Sequence, residues 1–226
     1  PSVIGVSLTR GVPAQRADIV IGSHASSAGP VAVADYDGDG HLDIFIGSRA
    51  IPLQYPLPPS SGFFRNVDGE FVFDAANESV VNGVGMVSSA MFADMNGDGH
   101  PDLVLAREWD SILLLLNDGR GRFSPAPESW GLARWTSRWN GVAAGDLDGD
   151  GRLDLVATSR GRNTPLQADS SNPLVLVHGP IGAAREQEML LARNDARVRG
   201  LAAMTDLTRV RLAIPDIANG VPTFAA

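Results

Sequence analysis

Three acidic loops of identical spacing carry the residues of this chain that could do chemistry. Each follows the pattern D-x-[DN]-G-D-G-x-x-D, and the loops begin at Asp35, Asp94 and Asp146. Oxygen atoms at loop positions 1, 3, 5 and 9, with a backbone carbonyl at position 7, can surround one hard cation, and glycines at positions 4 and 6 permit the tight turn. Carboxylates packed this closely repel one another unless a cation compensates them.

The donor set of these loops favours calcium. All-oxygen ligands in a flexible loop suit Ca²⁺ better than zinc or copper, and Mg²⁺ demands a stricter octahedron and keeps its waters. The alternative is a Gly-Asp hairpin turn that holds no metal. We predict three Ca²⁺ sites, in which His41, His100 and Arg152 contribute their backbone carbonyls. The predicted ligands are Asp35, Asp37, Asp39, His41 and Asp43; Asp94, Asn96, Asp98, His100 and Asp102; and Asp146, Asp148, Asp150, Arg152 and Asp154.

The segments that flank the loops predict strands. They are short and rich in Val, Ile and Phe, as in IFIG after the first loop and LVLA after the second, and they are too brief for helices. An EF-hand would need a bidentate Glu at position 12, which here holds Ile46, Leu105 and Ala157. Each unit is therefore a strand, an acidic loop and a second strand, and the units recur at periods of 59 and 52 residues.

These units resemble FG-GAP/VCBS repeats, the calcium-loop blades of integrin-alpha-type β-propellers. The segments Phe63–Val80 and Leu113–Leu132 are similar to the connecting hairpins of the cartilage-acidic-protein (ASPIC/UnbV-associated) branch, with its R-N-x-DG-x-F run. The resemblance covers roughly Asp18 to Val177. It implies a scaffold for binding partners and does not imply one particular function.

Hairpins between the loops complete four strands per unit. Turns at Val67–Gly69 and Asp118–Gly119 separate the outer strands of the first two units, and Leu174–His178 with Glu188–Leu191 take that place in the third. We therefore predict an all-β fold, a β-propeller of four-stranded antiparallel blades with calcium loops. The predicted divisions are a degenerate partial blade at 1–30, blades at 31–87, 88–140 and 141–199, and a degenerate partial blade at 200–226.

About four blades are present on this count, so closure of the ring is the main structural question. The chain is a piece of a longer propeller, a small closed ring, or a part that closes by assembly with another chain, and we favour incompleteness or assembly. Pro1 is not a translation start, so we expect processing or a fragment. The stretch Ile181–Arg199 fits either a short helix or a strand with a charged edge.

Composition limits the classes of partner. The net charge is −8, but the three loops hold eleven of the acidic residues, so the acidity belongs mostly to the predicted metal sites. The eighteen basic residues are all Arg and are scattered, which argues against nucleic acid binding. No apolar run approaches the ~20 residues of a membrane span, and without cysteine there are no disulfides.

Tryptophan clusters in the connection between the second and third units, at Trp130, Trp135 and Trp139. These side chains either stack a sugar ring or anchor a protein partner at a propeller face, or they fill space between blades, which we favour. No nucleophile elbow or Cys/His pair suggests catalysis, and the paired carboxylates are taken up by the loops. A lyase or hydrolase is the least supported function.

The function predicted from sequence is a non-catalytic, calcium-binding scaffold for protein–protein interaction, adhesion or complex assembly. The alternative is a calcium-dependent, lectin-like propeller that binds glycans. Modest-affinity loops fill at extracellular calcium levels and stay empty in a resting cytosol, so we expect a secreted protein, extracellular or periplasmic.

Overall fold

The protein is built from antiparallel β-strands, which confirms the all-β class. The computed structural model describes residues 3–7, 15–19, 27–161, 168–181, 186–197 and 199–204. The chain divides into two compact units: Pro1–Pro52 with Leu57–Arg160, and Leu53–Pro56 with Gly161–Ala226. In the part that the structure describes, no helix is long and apolar enough to cross a membrane. The sheets do not by themselves establish a four-blade propeller, which stays a prediction.

The N-terminal strands form a two-stranded ladder. Strands β1 (Val3–Ser7) and β2 (Gln15–Ile19) pair antiparallel. Both strands lie in the stretch predicted as a degenerate partial blade, residues 1–30. Residues 1–2, 8–14 and 20–26 of this predicted partial blade lie outside the described residues.

The first repeat is a complete four-stranded sheet. Strands β3 (Ser27–Ala34), β4 (Asp43–Ala50), β5 (Gly62–Val67) and β6 (Glu70–Phe73) pair in chain order. The acidic loop joins β3 to β4, and the tight turn after Val67 joins β5 to β6. A 3-10 turn (Ala75–Asn77) and the single-turn helix α1 (Glu78–Val81) then lead to the next repeat.

The second repeat has the same order. Strands β7 (Met86–Ala93), β8 (Asp102–Ser111), β9 (Leu113–Asn117) and β10 (Phe123–Pro125) pair as neighbours, with the acidic loop between β7 and β8. The hairpins predicted around Val67–Gly69 and Asp118–Gly119 are therefore confirmed.

The third repeat has two strands in place of the predicted four. Strand β11 (Thr136–Gly145) first pairs with the end of β8 and then with β12 (Asp154–Ser159), which ends this sheet in the described chain. The predicted outer strands instead form a separate sheet in the second unit, with order β13 (Leu174–Ile181), β14 (Glu186–Asp195) and β15 (Gly200–Ala203). The hairpin predicted from Leu174–His178 and Glu188–Leu191 is therefore formed, by β13 and β14, but no described pairing joins it to β12.

The last strands bear on the predictions for residues 181–199 and 200–226. The charged stretch within Ile181–Arg199 is a strand, β14, so the helix alternative is wrong. Residues 200–203 pair with β14, and most of the last predicted partial blade, from residue 205 onward, lies outside the described residues, so that division stays a prediction.

Side chains alternate along a strand, so the sheets of the first and second repeats each direct apolar residues to both faces. We call the face directed toward the repeat before it in the chain the preceding face, and the opposite one the following face. One buried cluster joins the following face of the first repeat to the preceding face of the second and contains Ala32, Tyr36, Phe45, Phe63, Leu103, Leu105, Leu115 and Phe123. A second cluster likewise joins the second repeat to the third and contains Val104, Ala106, Leu114, Val142, Leu155 and Ala157.

Candidate metal centres

Each acidic loop is wrapped around the carboxylate of its first aspartate. In the first loop, Asp35 Oδ1 accepts hydrogen bonds from the backbone N–H groups of Gly38 and Asp39, and Asp35 Oδ2 accepts one from Gly40. The same three bonds recur at Asp94 and Asp146, all with lengths between 2.7 and 3.1 Å. The six glycines at positions 4 and 6 have φ between 78° and 89°, a region that glycine reaches without a Cβ clash.

Carboxylate oxygens converge in the first and third loops. Single oxygen atoms of Asp35, Asp37 and Asp39 lie within 4.8 Å of one another, and so do those of Asp146, Asp148 and Asp154. Calcium binds oxygen at about 2.3–2.6 Å, so two ligands on opposite sides of the ion are about 5 Å apart. The oxygen spacing of both clusters therefore fits a calcium ion.

The second loop replaces one carboxylate by an amide. Asn96 Oδ1 accepts the N–H of Asp98 at 2.9 Å, and Asn96 Nδ2 donates to Asp98 Oδ2 at 2.8 Å. This side-chain hydrogen bond, with the backbone N–H of His100, lowers the pKa of Asp98. One oxygen of Asp98 thus accepts a hydrogen bond from the Asn96 amide. The backbone hydrogen bonds to the first aspartate are nevertheless the same as in the other two loops.

Arginine modifies the third loop. The guanidinium of Arg152 pairs with Asp150 Oδ2, and the backbone N–H of Arg152 donates to Asp150 Oδ1 at 2.9 Å. The backbone bond and then the side-chain bond lower the pKa of Asp150. Asp150 is consequently outside the converging cluster of this loop, and Asp154 takes part instead. The carbonyl ligation proposed for His41, His100 and Arg152 stays a prediction.

The aspartate at position 9 has a second role in the first two repeats. Asp43 is buried and accepts N–H groups from Tyr36 and Asn66, and Asp102 is buried and accepts N–H groups from Met95 and Asn117, at 2.8 to 3.2 Å. Each carboxylate therefore ties its loop to the outer hairpin of the same repeat. Burial raises the pKa of both groups against the lowering effect of these bonds, and the neighbouring loop carboxylates add to the rise.

The tryptophans divide into exposed and packed side chains. Trp135 is 63% exposed and Trp130 is 45% exposed, which argues against our interpretation that they fill space between blades. Trp139 does match that interpretation, because it packs against the cluster between the second and third repeats and its Nε1 donates to the carbonyl of Trp135 at 3.0 Å. The guanidinium of Arg138 lies 4.6 Å from the ring centre of Trp109 and pairs with Glu108.

A polar network between the first two repeats was not predicted from the sequence. The buried Tyr36 donates its hydroxyl hydrogen to Asp74, and Asn117 Nδ2 donates to the carbonyl of Tyr36 at 2.8 Å. Asn77 Nδ2 also donates to Asp74 and to the carbonyl of Gly121, both at 2.7 Å. One sequence signal could have indicated contact between repeats at this place. Position 2 of every loop holds an apolar or aromatic residue, which a metal-binding turn does not require.

Comparison with known families identifies the repeat. Residues 94–157, from the first aspartate of the second loop to the strand after the third, match the family model described as an FG-GAP-like repeat. The chain therefore contains an FG-GAP-type repeat, which confirms the resemblance at the level of the repeat. The cartilage-acidic-protein branch stays a prediction. A search of curated proteins finds no match.

Proposed function

We propose that this chain is a non-catalytic, calcium-stabilised scaffold that binds a protein partner outside the cell or in the periplasm. FG-GAP repeats commonly mediate protein interactions, are generally extracellular and are typically non-catalytic. The observation that carries the proposal is the loop geometry: one hydrogen-bond pattern recurs in all three loops, and in the first and third loops three carboxylates lie at calcium-ligand spacing.

Calcium would act on stability rather than on chemistry. The converging carboxylates of the first and third loops repel one another, and a bound divalent cation removes that repulsion while fixing the turn between two strands. A site filled at one hundred times its dissociation constant stabilises the folded state by about 2.7 kcal/mol. The first two loops also adjoin the buried network between repeats, so the cation would hold the surface of the scaffold in one shape.

A calcium titration followed by calorimetry tests this proposal, together with thermal melts in excess Ca²⁺ and in chelator. We expect about three ions bound per chain and a melting temperature that falls in chelator. Asp37→Ala and Asp148→Ala should each remove one site and lower the melting temperature in calcium. Glu70→Gln removes an exposed carboxylate that is not a predicted ligand; it is the matched control and should melt like the wild type. No heat of binding and superimposable melts of all four proteins would refute the calcium proposal.

Glycan binding is a second candidate because one observation favours it. The exposed rings of Trp130 and Trp135 offer flat apolar faces of the kind that stack on sugar rings. A glycan array in calcium tests it, and binding should be lost in Trp135→Ala but kept in Trp139→Phe, whose ring packs inside. A silent array, or binding that survives Trp135→Ala, would leave the protein scaffold as the better account.

A further inference from the structure

The outer hairpin of the second repeat lies between two of the acidic loops. Its turn, residues 118–122, joins β9 to β10. A Cβ placed on Gly121 would lie 2.8 Å from Asp37 Cβ, so the turn packs directly against the first loop. A Cβ placed on Gly119 would meet the imidazole of His100, so the same turn also contacts the second loop. One short turn therefore has a predicted calcium loop on each side.

Asn117, the residue before this turn, connects the two loops by hydrogen bonds. Its backbone N–H donates to Oδ1 of Asp102, the position-9 residue of the second loop, at 2.8 Å. Its Nδ2 donates to the carbonyl of Tyr36, at position 2 of the first loop, also at 2.8 Å. The N–H of Tyr36 donates in turn to Oδ2 of Asp43, the position-9 residue of the first loop, at 3.2 Å. Two residues, Tyr36 and Asn117, thus link the position-9 carboxylates of both loops.

The side chain of Asn117 is held in one orientation. It is buried, its Oδ1 accepts the N–H groups of Gly119 and Gly121 at 3.1 and 3.2 Å, and its Nδ2 also donates to the carbonyl of Pro101 at 3.2 Å. The amide cannot rotate without breaking these bonds. A shift of the Tyr36 carbonyl therefore moves the turn and the N–H that Asp102 accepts, instead of being absorbed by the side chain.

The described part of the chain has such a link only between the first and second loops. Asn66 is the equivalent residue in the first hairpin, and its N–H and Nδ2 donate to Asp43 and to the carbonyl of Leu42, both in its own repeat. In the third loop, the bond that the described residues give to Asp154 comes from the N–H of Leu147, in the same loop. The three loops therefore divide into a linked pair and a separate third loop.

We propose that Asn117 is a positioning residue that couples calcium binding at the first two loops, so that an ion in one raises the affinity of the other, while the third loop binds independently. The inference rests on the calcium-stabilised scaffold proposed above and concerns the regulation of its sites. The first two repeats would consequently become ordered together, over a narrower range of calcium concentration than independent loops allow.

The coupling arises because the two loops share one element that both must order. An ion that fixes the first loop also fixes the carbonyl of Tyr36 and the backbone against which the turn packs. The second loop then binds its ion with the Asp102 carboxylate already held by the N–H of Asn117, so less conformational entropy is lost on binding. The effect is reciprocal, because a coupling free energy belongs to the pair of sites.

The test compares calorimetric CaCl₂ titrations of proteins that retain two loops or one. Asp37→Ala, Asp98→Ala and Asp148→Ala each remove one loop, and Asp37→Ala keeps the Cβ that packs on Gly121. For independent loops, the product of the two association constants in a two-loop protein equals the product of the constants in the two single-loop proteins. For the first and second loops we expect the product to be larger by at least about fivefold. For the second and third loops we expect equality.

Asn117→Ser assigns the coupling to this side chain, and Asn66→Ser is the matched control. Asn117→Ser removes the amide but keeps the backbone N–H, so the excess for the first and second loops should disappear. Asn66→Ser removes an amide without a described bond to another loop, so the excess should persist. A purely structural role of Asn117 would weaken each single-loop protein and leave the excess unchanged. Tryptophan fluorescence verifies folding, and the comparison of loop pairs decides on the coupling with Asn117 in place.

Three outcomes would overturn the coupling and leave the calcium-stabilised scaffold standing. They are equal products for the first and second loops, an equal excess for the second and third loops, and an excess that persists in a folded Asn117→Ser protein. Single-loop proteins that bind no calcium would instead overturn the scaffold proposal and the coupling together. The two failures are therefore distinguished by the same titrations.

Discussion

Replacing the position-9 aspartate should have different consequences in the second and third repeats. Asp102 and Asp154 are equivalent predicted calcium ligands, so loss of the ligand is common to Asp102→Ala and Asp154→Ala. In chelator, only the hydrogen bonds of each carboxylate remain to be compared. Asp102 accepts the N–H groups of Met95 and Asn117 at 2.9 and 2.8 Å, whereas in the described chain Asp154 accepts one, that of Leu147 at 3.0 Å.

The expected magnitudes follow from these bonds. A hydrogen bond to a charged group contributes about 1.5–3 kcal/mol, and a buried N–H left without an acceptor keeps its full desolvation cost. Asp102→Ala leaves two such donors, but it also removes a buried charge, whose cost is visible in the raised pKa of Asp102. We expect a net loss of about 3 kcal/mol for Asp102→Ala and about 1 kcal/mol for the half-buried Asp154.

Tryptophan fluorescence during denaturant unfolding is the suitable assay. All four tryptophans lie between residues 109 and 139, so the signal reports the first unit alone. The two variants should differ by about 2 kcal/mol in chelator. Equal losses of unfolding free energy for Asp102→Ala and Asp154→Ala in chelator would refute the reasoning. They would show that the second hydrogen bond of Asp102, from the N–H of Asn117, adds no stability.

Two further predictions concern the second hairpin. Gly121→Ala should destabilise the first unit by about 3 kcal/mol in the same assay, because φ is 72° and the new Cβ would lie 2.8 Å from Asp37 Cβ in the neighbouring repeat. The control is Gly69→Ala, which should cost about 1 kcal/mol because φ is 91° but the space around the new Cβ is open. Equal costs of the two substitutions would contradict the close packing at Gly121. The pKa of Asp118 should be below its usual value in a carbon-13 NMR titration, chiefly because the N–H of Arg120 bonds its carboxylate. Its support of the turn is thus complete above pH about 4 and is lost as the pH falls through the folded pKa, and an ordinary pKa would contradict the bond.

The loops could be predicted from sequence because their chemistry is local. All predicted ligands of one loop lie within nine residues, and the alternation of Asp and Gly favours both the turn and the convergence of oxygen atoms seen in the first and third loops. The strands of the first two repeats were predictable for a similar reason, since short apolar runs bounded by turns have few other structures available. The same local argument located the hairpins around Val67–Gly69 and Asp118–Gly119.

Tertiary structure decided which strands meet and which side chains face another repeat. The sequence alone assigned Asp43 and Asp102 as cation ligands, but their bonds to the N–H groups of Asn66 and Asn117 depend on an outer hairpin folding back onto the loop. The third repeat has an equivalent aspartate, Asp154, but in the described part of the chain no hairpin pairs with its strand β12. The sequence pattern predicts the hairpin of β13 and β14 but not the sheet that it joins, because a strand edge can pair with any antiparallel partner in reach.

The exposure of Leu147 illustrates the same division. All three loops have an apolar or aromatic residue at position 2, but Tyr36 of the first loop is buried and Leu147 of the third is exposed. The sequence determined the residue and its place in the loop. Only the fold determined whether another repeat lies there to cover it, because burial depends on the neighbour and not on the residue that is buried.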